Sequence, residues 1–282
     1  MTVIIAGCGD LGTEVALRFA AQGHRVVGMR REAELLRAPI EGRSVDLRHQ
    51  VPTIDDDTTT VVVALTAGSR TAAAYRETYV TGLRNVLDGL EASPADPRVL
   101  VVSSTAVYDV DGGETVTEST PAVGGSATAD VLLEAEKLLR SRAPEATLVR
   151  LSGIYGPGRE RLIEQVRSGT ARLAAPATSP HTNRIHRDDA AAAIVHLAGL
   201  ENPPPVVLGS DDEPARLDEV LRFLAAEMGV ALPTQGEATG WQAAGDKRIS
   251  NALLRSTGFT FTYPSFREGY RAVLAGGGVR HP

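Results

Sequence analysis

The sequence predicts an α/β fold, a doubly wound parallel sheet carrying a smaller, mostly helical C-terminal lobe. Three observations predict it. Short valine-rich apolar runs alternate with helical patterns through the first two-thirds of the 282 residues. The first such run, Thr2-Val-Ile-Ile-Ala6, breaks into Gly7-Cys8-Gly9-Asp10-Leu11-Gly12 and then opens an amphipathic helix. After residue 151 the texture changes to loops and isolated helices.

The elements follow in order. Strands are expected at 3–6, 25–29, 43–45, 60–65, 98–103 and 147–151, with a short edge strand at 205–208. They are apolar on both faces, as buried parallel strands should be. Helices are expected between them at 11–22, 32–37, 70–91 and 128–142. Beyond the sixth strand, Gly153-Ile-Tyr-Gly-Pro-Gly158 reads as a rigid loop, followed by helices at 160–168, 190–200 and 217–228. The segment 246–274 reads as a small helical lobe with a turn at Tyr263-Pro264. The expected organisation is a first domain over 1–152 with 184–209 packing back on it. A substrate lobe takes 153–183 and 210–275, and 276–282 forms a frayed tail.

Composition narrows the function. A formal net charge of −6 with 23% charged residues and no basic tract argues against nucleic acid as a partner. No apolar run approaches membrane-spanning length, and the chain enters its first strand without a signal peptide. The single cysteine, Cys8, excludes an internal disulfide and fits a cytoplasmic location. Inside the glycine loop it reads as a small filler residue. Six histidines without ligand spacing predict no metal site.

The glycine motif points to a dinucleotide. Gly7 permits the tight turn off the strand, Gly9 lets the backbone approach a pyrophosphate, and Gly12 lets the helix pack on the sheet. Asp10 and Leu11 lie at the helix start, where unpaired N–H groups and the helix dipole favour negative charge. At the end of the second strand, where an acidic residue would accept from the ribose 2′-OH of NAD, stand Arg30 and Arg31. A guanidinium suits a 2′-phosphate instead, so NADP(H) is favoured over NAD(H). The alternative is that both arginines solvate the following helix. Asp46 and Leu47, after the third strand, are placed to approach the adenine, or Asp46 is a loop carboxylate.

With these residues in hand, the chain resembles an extended short-chain dehydrogenase/reductase of the NAD-dependent epimerase/dehydratase family, with a Rossmann fold. The glycine loop matches at Gly7, Gly9 and Gly12. Thr66-Ala67-Gly68 sits where such proteins line the cofactor, and Tyr79-Val-Thr-Gly-Leu-Arg-Asn85 resembles a family helix segment. Val102-Ser103-Ser104-Thr105 resembles the fifth strand with its catalytic serine. Gly153–Gly158 and Asn183-Arg-Ile-His186-Arg-Asp188-Asp189 resemble the later loop and helix start. Tyr263-Pro-Ser-Phe-Arg-Glu-Gly269 is similar to an atypical subgroup of uncharacterised bacterial members.

One departure stands out. The resemblance implies a Tyr-x-x-x-Lys pair, in which the ammonium draws the phenol pKa down from about 10 for general acid–base work. The chain holds only two lysines, Lys137 and Lys247, and neither follows a tyrosine by four. Thr128 falls at the tyrosine position and Leu132 at the lysine position. Ser104 remains the candidate for the substrate oxygen, with Thr105 and Tyr108 beside it, Tyr108 being otherwise a structural aromatic. Ser103 is placed on the cofactor side. Tyr155, Arg159 and His186 are the substrate-binding candidates, Arg159 for an anionic group and His186 for chemistry or for a helix cap. Asp211-Asp212-Glu213 reads as a solvated acidic helix start. Trp241 is placed either to roof the cleft or to anchor the lobe.

The resulting expectation is an NADP(H)-dependent oxidoreductase or epimerase-like enzyme acting on a small polar metabolite, such as a sugar nucleotide or related carbonyl compound. The alternative is a noncatalytic NADP(H)-binding redox sensor or scaffold. The helices at 70–91 and 128–142 leave monomer and homodimer both open.

Overall fold

The computed structural model describes residues 1–175, 178–236 and 245–282; Trp241 lies outside them. Seven parallel strands form the central sheet: β1 (Thr2–Ala6), β2 (Arg25–Arg30), β3 (Ile40–Ser44), β4 (Thr58–Val63), β5 (Arg98–Ser104), β6 (Thr147–Leu151) and β7 (Val206–Gly209). Their spatial order is β7-β6-β5-β4-β1-β2-β3. The direction of winding reverses between β1 and β4, and ligands of such sheets bind at the carboxyl ends of strands beside that point. The register aligns those ends, with Ala6 opposite both Met29 and Val63, and Ser104 opposite Leu151.

All five residues of β1 are buried. Side chains alternate across a strand, so Val3 and Ile5 enter one core layer while Ile4 and Ala6 enter the other. The first layer holds α1 (Asp10–Ala21) and α6 (Arg187–Gly199), through Phe19, Ile194 and Leu197. The opposite layer holds α3 (Gly82–Ala92) and α4 (Ala127–Arg142), through Leu83, Val86 and Leu139. A separate core gathers Leu162, Ile163, Leu217, Leu221 and Phe266 from α5 (Arg161–Arg167), α7 (Leu217–Met228) and α9 (Phe266–Leu274). No described helix is long and apolar enough to cross a membrane.

Several boundaries differ from the sequence reading. The helix expected at 32–37 is a single 3₁₀ turn, Ala33–Leu35, which ends where Leu36 turns to an extended conformation. The long helix expected at 70–91 starts as α2 (Ala72–Tyr75), capped by the Thr71 side chain. It passes through a π-helical turn at Arg76–Thr81 before becoming α3. Within 210–275, Leu254, Phe259 and Phe261 pack into the first-domain core, not the lobe core, with α8 (Ala252–Ser256) against β7. The tail expected to fray is tied down. The carbonyl of Val279 accepts from Arg187 Nη1 at 2.7 Å, and the His281 N–H donates to Asp10 Oδ1 at 3.1 Å.

Candidate functional site

Two cavities open at the carboxyl edge of the sheet, one of about 440 Å³ and one of about 240 Å³, and both are walled by Gly9, Ala64, Leu65 and Thr66. The three loop glycines have different reasons to be glycine. Gly7 has φ +91°, and a Cβ there would lie 2.6 Å from the carbonyl oxygen of Ala64. A Cβ on Gly12 would lie 2.5 Å from the carbonyl oxygen of Gly7, whereas one on Gly9 would meet nothing within 4 Å. Gly7 and Gly12 are therefore demanded by the fold. Gly9 faces open space where the two cavities meet, at the N-terminus of α1. The N–H groups of Gly7 and Cys8 both donate to the Met29 carbonyl and bind the loop to β2. Cys8 is fully buried, and burial pushes its thiol up to about 11, so it is an inert filler.

The smaller cavity is lined by Arg30, Arg31, Asp46, Leu47 and Arg48. Arg48 holds Asp46 through a bidentate contact, with Nη2 to Oδ2 at 2.6 Å, and draws that carboxyl down to about 2. Asn85 fixes the adjacent turn by donating to the Leu47 carbonyl at 2.7 Å. Arg30 Nη1 donates to the carbonyls of Cys8 at 3.4 Å and Pro282 at 2.5 Å. Thr66 borders both cavities, while Ala67 is not part of either wall.

The larger cavity brings Ser103, Ser104, Thr128 and Leu132 to one wall. Thr128 and Leu132, which the sequence reading sets against the tyrosine and lysine of the resembling dyad, both line this cavity. Ser104 Oγ accepts from the Ala106 N–H at 3.1 Å, and Ser103 Oγ donates to Glu136 Oε1 at 2.6 Å. Glu136 in turn receives Arg150 Nε at 3.1 Å and Nη2 at 2.5 Å, and Arg150 Nη1 donates to the Tyr108 hydroxyl at 2.6 Å. Sequence reasoning missed this buried pair, because a glutamate and an arginine at these positions read as ordinary helix and strand residues.

Three of the expected catalytic and substrate-binding residues are not on the wall of the larger cavity. Thr105 is buried in the 3₁₀ turn Thr105–Val107. That turn sends Tyr108 into a core with Val107, Leu132 and Ile249, where burial raises its phenol pKa. His186 is 1% exposed and lies against the rings of Tyr155 and Tyr263, with centroids at 5.3 and 4.0 Å. Burial lowers it to about 4, and its neutral Nδ1 accepts from the Asp188 N–H at 3.2 Å, the capping role. The short strand Arg184–His186 pairs in parallel with Gly153–Tyr155 and fixes that placement.

Tyr155 and Arg159 do line the larger cavity. Burial raises the Tyr155 phenol far above its ordinary value, against general-base use. Its ring passes over Gly269, where a Cβ would lie 1.8 Å from the hydroxyl oxygen. Arg159 Nε is engaged with Asp10 Oδ2 at 2.6 Å. Burial alone would raise the Asp10 pKa, but hydrogen bonds from Arg159, the His281 N–H and Arg187 outweigh it and hold the carboxyl below its ordinary value. Three further arginines, Arg70, Arg161 and Arg184, line the larger cavity. They went unnoticed because they come from three segments far apart in sequence.

The model of the NAD dependent epimerase/dehydratase family matches residues 3–209. A putative NAD-dependent epimerase/dehydratase from Methylobacillus flagellatus is 36% identical, with 98% of each chain covered and a TM-score of 0.77. A functionally unknown conserved protein from Silicibacter pomeroyi is 24% identical over 98% of this chain and 99% of that one, with a TM-score of 0.78. UDP-glucuronic acid 4-epimerase from Bacillus cereus, solved with NAD, shares the fold at 15% identity, covering 96% and 97% of the chains at a TM-score of 0.79. No curated protein matches the chain.

Proposed function

The chain belongs to the NAD-dependent epimerase/dehydratase family, and from that premise we propose that it is an NADP(H)-dependent oxidoreductase or epimerase-like enzyme acting on a small polar metabolite. One observation carries the reading. Two cavities meet at Gly9, with Arg30 and Arg31 along the smaller and Ser103 and Ser104 along the larger. An extended dinucleotide fits that arrangement, with its pyrophosphate at the α1 N-terminus, its 2′-phosphate toward Arg30 and Arg31, and its nicotinamide toward Ser104. The open space at Gly9 admits the pyrophosphate, since no side chain fills it. When bound, the nicotinamide supplies or accepts a hydride.

The chain's own residues orient the substrate and exclude water. Ser104 holds the substrate oxygen by a hydrogen bond, and Thr128 offers a second hydroxyl from α4. Ser103 is locked by Glu136 and keeps the end of β5 in place. Neither Tyr108 nor Tyr155 is tuned for proton transfer near neutral pH, because burial moves both phenols upward. A second reading, a noncatalytic NADP(H) sensor or scaffold, draws on Thr128 and Leu132 standing where a tyrosine and lysine would otherwise act. The two part company in a broad screen of carbonyls and alcohols, because only the enzyme exchanges hydride. Ser104→Ala sharply lowers turnover in the enzyme reading.

The first test is calorimetric titration of nucleotide-stripped protein with NADPH and NADH. Micromolar binding with at least tenfold preference for NADPH, about 1.4 kcal/mol, supports the reading, and Arg30→Ala should erase the preference. No binding to either nucleotide overturns it. By the same reasoning the protein works in the cytoplasm as a monomer or homodimer, without metal, membrane or nucleic-acid partners.

A further inference from the structure

We propose that the segment 279–282 is a specificity element of the dinucleotide site: it braces the Arg30 guanidinium at the smaller cavity, and the preference for NADPH over NADH depends on it. The inference rests on the reading of Arg30 as a 2′-phosphate ligand and deepens it.

The two arginines at the end of β2 are held differently. Both line the smaller cavity, but Arg31 is exposed whereas Arg30 is partly buried. Arg30 Nη1 donates to the Cys8 carbonyl at 3.4 Å and to the main-chain oxygen of Pro282 at 2.5 Å. Cys8 belongs to the glycine loop, so this cation is tied to the loop on one side and to residue 282 on the other. Among the described residues, every hydrogen bond of Arg30 leaves from Nη1. The Nε and Nη2 edge of the fork is therefore left for a phosphate, which a guanidinium meets through two parallel N–H groups. A long side chain loses rotamer freedom on binding an anion, and a fork already fixed loses less.

The segment is anchored at every residue. Gly278, at φ +80°, turns it over Pro157, and a Cβ there would lie 2.7 Å from Pro157 Cγ. The Val279 carbonyl accepts from the buried Arg187 at 2.7 Å. The stem of Arg280 packs on Gly158, where a Cβ would collide with it. His281 gives its N–H to Asp10 Oδ1 at 3.1 Å, and its Nε2 lies 2.9 Å from Glu14 Oε2. Pro282 then meets Arg30 with its φ fixed by its ring. None of residues 279–282 is part of either cavity wall. The segment thus braces Arg30 from outside the path of the dinucleotide and does not fill it.

The test is calorimetric titration with NADPH and with NADH of five proteins: the natural chain, a chain ending at Gly278, His281→Ala, Arg30→Ala, and Arg30→Ala ending at Gly278. The shortened chain keeps its fold, because Arg187 retains Asp10 at 3.0 Å and Asp188 at 2.7 Å, and its thermal midpoint checks this. NADPH affinity is expected to fall about fivefold in the shortened chain, with NADH affinity unchanged. His281→Ala removes only the side-chain anchor at Glu14 and should weaken NADPH about threefold. It decides the matter should the shortened chain not fold. In the Arg30→Ala background shortening has no further effect, since the segment acts through that arginine. A preference unchanged in both tail variants overturns the proposal. So does a preference that rises, which would make residue 282 a competitor of the phosphate. Equal losses for both nucleotides also overturn it, because the segment would then serve the glycine loop and not Arg30. Failure of the underlying reading shows elsewhere, as a natural chain without NADPH preference or an Arg30→Ala variant that keeps it, and the proposal falls with it.

Discussion

Two polar networks flank the larger cavity, and they are built on opposite plans. Behind the β5 wall, Ser103, Tyr108, Glu136 and Arg150 close a buried network within one stretch of under fifty residues. At the mouth, Asp10 of the glycine loop receives Arg159 at 2.6 Å, Arg187 at 3.0 Å and the His281 N–H at 3.1 Å. Those partners come from the lobe loop, α6 and the tail. The first network holds strand and helix of a single α/β unit in register and leaves nothing for a ligand. The second ties three distant segments to the N-terminus of α1, where an anion would approach. The lesson is that the back wall is positioned locally, whereas the phosphate end is positioned by the whole chain.

Breaking the back-wall network should have the largest effect. Glu136→Leu leaves Arg150 buried without its counter-ion and should cost about 3–5 kcal/mol. Adding Arg150→Met should recover most of it. Urea unfolding measures both, and a single-variant loss under about 1 kcal/mol would mean the pair is not buried as described.

Asp10→Ala should cost less, about 2 kcal/mol, because Arg187 retains Asp188 at 2.7 Å. Its signature is spatial, with hydrogen exchange rising at 279–282 and in the lobe loop together. Faster exchange confined to α1 would refute the long-range plan. Since the folded-state pKa of Asp10 is depressed, its contribution is present above about pH 4 and lost as pH falls through the folded value.

Asp211 carries the opposite sign. Its folded pKa, about 8, lies above the ordinary 3.8, so the folded protein holds a proton that the unfolded chain releases. Stability therefore falls as pH rises from about 4 to 8 on this group's account. Asp211→Asn should flatten that slope and raise the unfolding midpoint at pH 8 relative to pH 5. An unchanged slope would place the titration elsewhere.

The smallest stability effect sharpens the cofactor side. Gly9→Ala meets no atom within 4 Å and should change stability by under about 0.5 kcal/mol. Dinucleotide affinity should nevertheless weaken at least tenfold. Equal affinity in the two proteins would remove the pyrophosphate from Gly9.

Much of the fold was legible because its signals are local. Valine-rich runs, the glycine spacing and the switch in texture after Leu151 each act within a few residues. Where the reading fell short, a turn or a pairing intervened. Tyr108 is only four residues beyond Ser104, yet the 3₁₀ turn between them sends it into the core. His186 looked reactive by type, but strand pairing with Gly153–Tyr155 buries it against two tyrosine rings. The tail, rich in glycine, read as loose, and its anchors are Asp10, Glu14, Arg30 and Arg187, more than ninety residues away.

By itself the sequence determined the sheet, the glycine loop and the candidate cofactor residues at Arg30, Arg31 and Asp46, since backbone sterics and side-chain alternation act over neighbouring positions. It also determined that no lysine follows a tyrosine by four. Only the tertiary structure decided which side chains reach the cavity, which are sealed behind it, and that Arg70, Arg161 and Arg184 all line its wall. Those outcomes depend on burial and charge brought together from segments far apart in the chain, and no local pattern encodes them.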